Sequence, residues 1–435
     1  MTVSIGRREF LETASAAVVA CAAGGVSILR AAPRPTAYLI PGYKTAEAYR
    51  RGQPLIADRR AGRALPRGYD GPLTMITRVA LDADTVERAL FPIVGHAITL
   101  DPGRSRALFV GKNDDAILVI DPATLDLAAT ARPHADGFLF GGHVAFTADG
   151  KTVFAVERRD PSAPYSGRPV DHFGRVSVRD ADTLRALDSF DCAGIAPHDI
   201  ALFDGGRHLA VANYGSTGWP ADVEAPATRL PYGVEPSLTI LEAASGRLAH
   251  KEVAPKRLNE VQHVAAGGLD RIAVLQSRLA AFDDAQLVLR GRDHVYYPEA
   301  PDGYGRSYLP VPLLHYDLGA ATAKRAIVMT DDPLLMQRGQ TIVYEPIHDE
   351  MLVTYVASHT VIAFDAASGA VKHVMRTDHM GLRRPRGLAL HPDGEHYVVS
   401  GSWENVFVFR RGSHDLVRES CRYEVLFDHS HLAIA

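Results

Sequence analysis

Five histidines of this chain each open a short apolar segment of one type: GHAITL at 95–100, GHVAF at 142–146, PHDIAL at 197–202, QHVA at 262–265 and HSHLA at 429–433. His96, His143, His198, His263 and His431 thus recur at one kind of place in five separate parts of the sequence. A single buried imidazole ordinarily bridges neighbouring backbone, donating at one nitrogen and accepting at the other. Several crowded together cannot all ionise, and each neutral ring then offers one lone pair. A cation is the simplest common partner for those lone pairs. Imidazole is a borderline ligand, so an all-nitrogen set suits copper, iron, nickel or zinc. No cysteine falls in the pattern, which argues against a blue-copper site.

The elements that position these residues are strands. Each segment is followed by a tight turn and a second run of alternating apolar residues, as at Asp149-Gly150 before 152–157 and Asp204-Gly205 before 209–213. A third and a fourth strand follow in each unit. RGLAL at 386–390 repeats the unit without its histidine, and so does the run beginning at Thr341. The apolar period is two rather than three or four, which excludes a helical repeat. Six complete units are legible between residues 94 and 418. The final residues, 429–435, read as a first strand with nothing after it, while the matching second, third and fourth strands fall at 37–44, 74–81 and 85–91. The expectation is all-β: a seven-bladed β-propeller closed by pairing the C-terminal strand with N-terminal strands, which removes exposed sheet edges.

In such a ring the first strands line a central channel, and the five histidines should meet at one of its mouths. Loops between second and third strands open on that mouth, and three are long: 160–173, 215–234 and 281–308. Lys112, Glu157, Asn213 and Gln276 end the second strands and are expected either to orient imidazoles and bind a polar ligand or to cap strand ends. Asp199 and Glu260 stand beside members of the histidine set and are candidate orienting carboxylates.

Composition narrows the class. The 435 residues carry 47 Lys and Arg against 51 Asp and Glu, a net charge of −4 with no basic stripe, so nucleic acid is not an expected partner. Three cysteines without a Cys-x-x-Cys pair argue against a zinc ribbon or a disulfide scaffold. At the N-terminus, Arg7-Arg8 precede Phe10-Leu11 and an alanine-rich run too short and too weakly apolar for a good membrane span. Residues 1–32 read as a twin-arginine export signal, with Cys21 in a context resembling a lipoprotein processing box. The expected mature chain, 33–435, is a single periplasmic propeller without a transmembrane helix, lipid-anchored if Cys21 is modified.

Six stretches resemble the domain-of-unknown-function 1513 family of twin-arginine-exported propellers related to YVTN and YncE-like repeats. They are GHVAFTADG at 142–150, IAPHD at 195–199, AVAN at 210–213, EPSL at 235–238, QHVA at 262–265 and FDHSHL at 427–432. Some members resembling this pattern are encoded beside iron-uptake proteins, so the resemblance implies iron or copper handling. The function expected is a periplasmic propeller that binds copper or iron through a histidine ring, for metal handling or redox. Two alternatives stand beside it: a metal-dependent oxygenase or lyase acting on a small substrate under the long loops, and a metal-free scaffold that docks a protein partner on its loop-rich face.

Overall fold

A computed structural model describes residues 37–45, 72–83, 85–164, 166–217, 234–255, 259–278, 310–401, 406–420 and 431–435. The export segment, Cys21, Cys421, residues 218–233 of the second long loop and all of the 281–308 loop lie outside the described residues. The described residues form strands and a few single turns of 3-10 helix, with no α-helix. None of their helices is long and apolar enough to cross a membrane. The fold is all-β and built of four-stranded antiparallel sheets, consistent with a propeller.

Each sheet is a meander. In one of them Pro197–Phe203, His208–Asn213, Ser237–Glu242 and Leu248–Val253 pair in sequence order. The middle strands are buried on both faces: Leu209, Ala210, Val211, Ala212, Leu238, Ile240 and Leu241 are all fully covered. Their near-continuous apolar runs fit that double burial. Fourth strands lie outermost and are less covered: Leu248–Val253 is mostly half-buried and Lys324–Val328 largely exposed.

Two findings concern the chain's ends and one junction. Leu39 and Tyr38 pair with Ala433 and Ile434, so the last strand completes the sheet of Tyr38–Thr45, Pro72–Ala80 and Thr85–Phe91. At the junction, Ala107–Asp114 runs past its own sheet, and Lys112 and Asp114 pair with Gly141 and Phe140 of the next. Two four-strand sets are thereby joined into one eight-stranded sheet, which the repeat pattern does not foretell.

First strands lie against first strands. Gly95–Leu100, Phe138–Phe146, Pro197–Phe203, Asn259–Gly268, Gly339–Glu345 and Pro385–Leu390 contact one another in that order, and Ala433–Ile434 touches both the last and the first of them. Leu432 and Ile434 are buried with Leu39, Ile40, Ile98, Phe109 and Val398, so one apolar cluster holds residues from both ends of the chain. Gly387 makes room for it: a Cβ there would come within 2.8 Å of Leu432 Cβ. Truncating Leu432 to alanine should therefore lower stability by roughly 2–5 kcal/mol in denaturant unfolding. A change within about 0.5 kcal/mol, the range of an ordinary surface substitution, would show that the terminal strand is not part of the core.

Candidate metal centre

Bulges near the start of the first strands aim the histidines. His96 and His198 have no Cα partner on the neighbouring strand, because pairing steps from Gly95 to Ala97 and from Pro197 to Asp199. His263 is paired, with Leu275, and there the skipped residue is Gln262. At His143, pairing jumps from Phe140 to Val144 across Gly141, Gly142 and His143 itself. The expectation of a single shared register is thus corrected: the histidines come from two adjacent positions, and the bulge lets successive side chains reach the same centre. Gly142 is required in that step. Its φ is +123°, and a Cβ would lie 2.8 Å from His96 Cδ2 and 3.0 Å from His198 Cε1.

The five imidazoles converge. Ring centroids of His96 lie 4.5 Å from His431, 4.7 Å from His198 and 5.0 Å from His143, and His263 lies 5.1 Å from His143 and 5.0 Å from His431. Outward contacts set the tautomers. His198 Nδ1 is 2.6 Å from the Gly141 carbonyl, which can only accept, so Nδ1 carries the proton and Nε2 keeps its lone pair. Asp199 does the same for His263 and lies against His143 as well. Its Oδ1 is 3.2 Å from His143 Nδ1 and its Oδ2 is 3.2 Å from His263 Nδ1. The backbone N–H groups of Ile200 and Val264 donate to the same carboxylate. The Nε2 atoms of His143 and His263 are left buried and without a hydrogen-bond partner among the described residues. An unmatched buried acceptor costs about 1–3 kcal/mol.

His96 Nε2 lies 3.1 Å from both His198 Nε2 and His431 Nε2. Nitrogens bound to one metal at about 2.0–2.1 Å sit roughly 2.9–3.4 Å apart for square to tetrahedral angles. One ligand atom each from His96, His143, His263 and His431 lies within 4.8 Å of all the others. Ligands on opposite sides of one ion are separated by roughly 4.2 Å. The set therefore needs to contract by only a few tenths of an ångström on each side, and these four histidines could hold a metal ion. His198 stays beside them. It is bonded to Gly141 and stacked on Tyr214 at 4.3 Å and 15°.

The electrostatics keep the rings neutral. Burial holds the pKa of His96, His143 and His198 well below the ordinary 6.5 and that of His263 at about 3, and the charge of Lys112 adds to the effect on each. Burial pushes the Asp199 carboxyl up, while His143 and the amides of Val264 and Ile200 pull it back. Two backbone N–H groups donate to that carboxyl and two imidazole nitrogens face it, an arrangement that suits an acceptor-only carboxylate.

The remaining sequence candidates divide. Lys112 reaches the centre's edge, its Nζ 2.7 Å from the Tyr214 hydroxyl. Glu157 is fully buried but turns to Arg179 at 2.7 Å and to the backbone and ring of His134, so it ties its strand to the segment before Phe138 instead of orienting an imidazole of the centre. Asn213 caps its own sheet edge, donating to Val211, Ser237 and Thr239. Glu260 accepts from Ser216 and Ser277. Gln276 is buried opposite Val261, and neither of its amide atoms finds a partner among the described residues. Cys192 is excluded as a ligand: its thiol is fully buried, bonds the Gly194 carbonyl, and is pushed up to about 12 by burial. Tyr214 is the contact that sequence reasoning missed. Its only signal is its place directly after Asn213, where the second strand gives way to the long loop.

Residues 90–301 match the model of a family described as Protein of unknown function (DUF1513). The motif resemblance points to the same family. The DUF1513 match spans His96, His143, His198 and His263 but stops short of His431. Among solved structures, the hydrazine synthase of Kuenenia stuttgartiensis aligns with a TM-score of 0.53 at 15% identity, covering 78% of this chain and 90% of that one. At that identity the likeness concerns the fold alone. No curated protein matches the sequence.

The neutral rings make stability depend on pH. Their folded pKa values lie below those of the unfolded chain, so between about pH 6.5 and 3 the unfolded chain binds more protons and stability falls as the pH falls. Each such ring adds about 1.4 kcal/mol per pH unit to the slope. Denaturant unfolding of metal-free protein from pH 6 to pH 4.5 should show this loss, and His263→Gln should reduce the slope by about one proton. An unchanged slope would mean that His263 already carries its proton in the folded state.

Proposed function

We propose that this chain is an exported metal protein: a seven-bladed propeller, closed between its ends, that holds one transition-metal ion among histidines at a mouth of its channel. Support for the closed ring comes from the terminal pairing, the seven sets of four strands and the succession of first strands. Arg7-Arg8 and the run after them support export by the twin-arginine route to the periplasm, with Cys21 a site for lipid attachment. Twin-arginine export carries folded proteins, which suits a centre loaded before translocation.

The observation that carries the reading is the division of labour between ring nitrogens. Outward nitrogens of His198 and His263 are bonded to acceptors and that of His143 faces one, which leaves the inward nitrogens as lone pairs. His96, His143, His263 and His431 are the proposed ligands, and His198 stands behind His96 as its neighbour or as a further ligand. An all-imidazole set with no thiolate within reach among the described residues suits copper, iron, nickel or zinc, and the family resemblance turns that choice toward copper or iron, in metal handling or redox. Catalysis on a small substrate is a second reading, and one observation favours it. His143 keeps 12% of its side chain exposed while the other proposed ligands are buried, so it is the proposed ligand nearest the surface.

Protein exported by its own pathway should contain close to one equivalent of copper or iron by elemental analysis. The double variant His96→Gln/His431→Gln should lose it while keeping the wild-type circular dichroism spectrum. Metal-free wild-type protein of intact fold, or full metal retention in the double variant, would contradict the assignment.

A further inference from the structure

Arg158 carries a charge that the histidine centre does not use. It lies near the end of the strand Thr152–Arg159, where the 160–173 loop begins, and only 8% of it is exposed. Its Nη1 donates to Asn113 Oδ1 at 2.8 Å, a neutral acceptor. Its Nε is buried with no hydrogen-bond partner among the described residues. Arginine is almost never this buried unless it is paired, because an ion taken out of water without a counter-ion is strongly disfavoured. Asp160 and Glu260 favour the guanidinium charge from a distance, against the opposing effect of burial. Neither forms an ion pair with it, and both are engaged elsewhere. Asp160 accepts from the amide and hydroxyl of Ser162, and Glu260 from Ser216 and Ser277.

A cavity adjoins this side chain. Arg158, Arg159 and Asp160 line it together with Ile195, Ala196 and Ser216, so it lies between the starts of two long loops and the lead-in to the strand of His198. Two arginines against one carboxylate leave the lining positive. The space measures about 10 Å³, room for one water-sized particle and too little for sulfate or phosphate. Its wall is held in an unusual conformation. Ala196 has φ of +53°, in the left-handed region that residues with a Cβ seldom enter. The amides of Tyr214 and Gly215 donate to the carbonyls of Ala196 and Ile195, and Tyr214 stacks on His198. The wall of the cavity is therefore tied to a residue beside the histidine centre.

We propose that this cavity binds one halide ion, chloride under ordinary conditions, as the counter-ion of the Arg158 guanidinium. A water molecule there would accept a hydrogen bond but leave the charge unmatched; a monatomic anion does both. The site is separate from the histidines and does not depend on a metal. An ion held there links Arg158 to the 195–196 segment and steadies the backbone behind Tyr214.

The test uses the full-length protein, exchanged into sodium gluconate and titrated with chloride or bromide at constant ionic strength. Halide should raise the midpoint of thermal unfolding saturably, as a ligand of the folded state does, and sulfate should not. Arg158→Gln, checked for the wild-type circular dichroism spectrum, should bind halide at least tenfold more weakly, and Arg158→Lys should keep part of the affinity. His96→Gln/His431→Gln should respond to halide as the wild type does. Wild-type crystals soaked in bromide should give an anomalous peak beside Arg158, Ala196 and Ser216, a measurement that stands even if the Arg158 variants fail to fold. No saturable halide effect, an undiminished effect in Arg158→Gln, or a soaked crystal with water alone in the cavity would overturn the proposal. Loss of the effect in the double histidine variant would place the halide at the histidine centre and overturn it as well.

Discussion

One carboxylate disciplines the centre. Asp199 comes from the first strand that also supplies His198, yet it grips His143 from the preceding sheet and His263 from the following one. Two backbone amides hold it in turn, one of them from the strand that carries His263. Through this single group three successive sheets meet around two rings, while the Gly141 carbonyl holds the third. Without it, the outward nitrogens of His143 and His263 would have no acceptor and the rings no reason to present Nε2 inward. A metal-bound imidazole normally has such a partner on its far nitrogen, fixing its tautomer and raising its basicity.

The scaffold explains why such a cluster can persist. Neutral imidazoles with facing lone pairs are a poor way to fill a core, and a flexible protein would turn them outward. Here the backbone allows little choice. Gly142 has no side chain to push His96 and His198 away, and Gly141 offers its carbonyl to His198. Where the histidine pattern lapses, other residues serve the ring of strands. Thr341 stands 3.4 Å from His431 Nδ1, and Gly387 leaves the space that Leu432 occupies. The two strands without a histidine thus support the terminal strand that brings His431 into the group.

Much of the architecture was legible because it repeats. Strands Gly95–Leu100, Thr85–Phe91, Ser237–Glu242 and Val371–Arg376 fall where alternation and turn residues put them. The orphan first strand at the C-terminus pointed to pairing with the N-terminal strands, and Ala433 and Ile434 pair there. What could not be read is local. A period of two places His96, His143 and His263 alike, but a bulge shifts one residue against its neighbour without leaving a clear mark in the sequence. Glu157 and Asn213 occupy equivalent strand ends, yet each is claimed by partners far away in sequence, Arg179 and Ser237, and alternation says nothing of those. The stacking of Tyr214 on His198 likewise depends on how a loop leaves its sheet. Asp199 was visible as a neighbour of His198, but its hold on two other histidines requires three strands at known spacing.

The central claim is that imidazole nitrogens alone, from separated parts of this chain, surround one metal ion. X-ray absorption spectroscopy at the metal edge of the loaded protein addresses it most directly. The account predicts at least three nitrogen ligands at about 2.0 Å with the multiple-scattering signature of imidazole, reduced in His143→Gln. A first shell dominated by oxygen or sulfur, or an imidazole signal unchanged by that substitution, would contradict it.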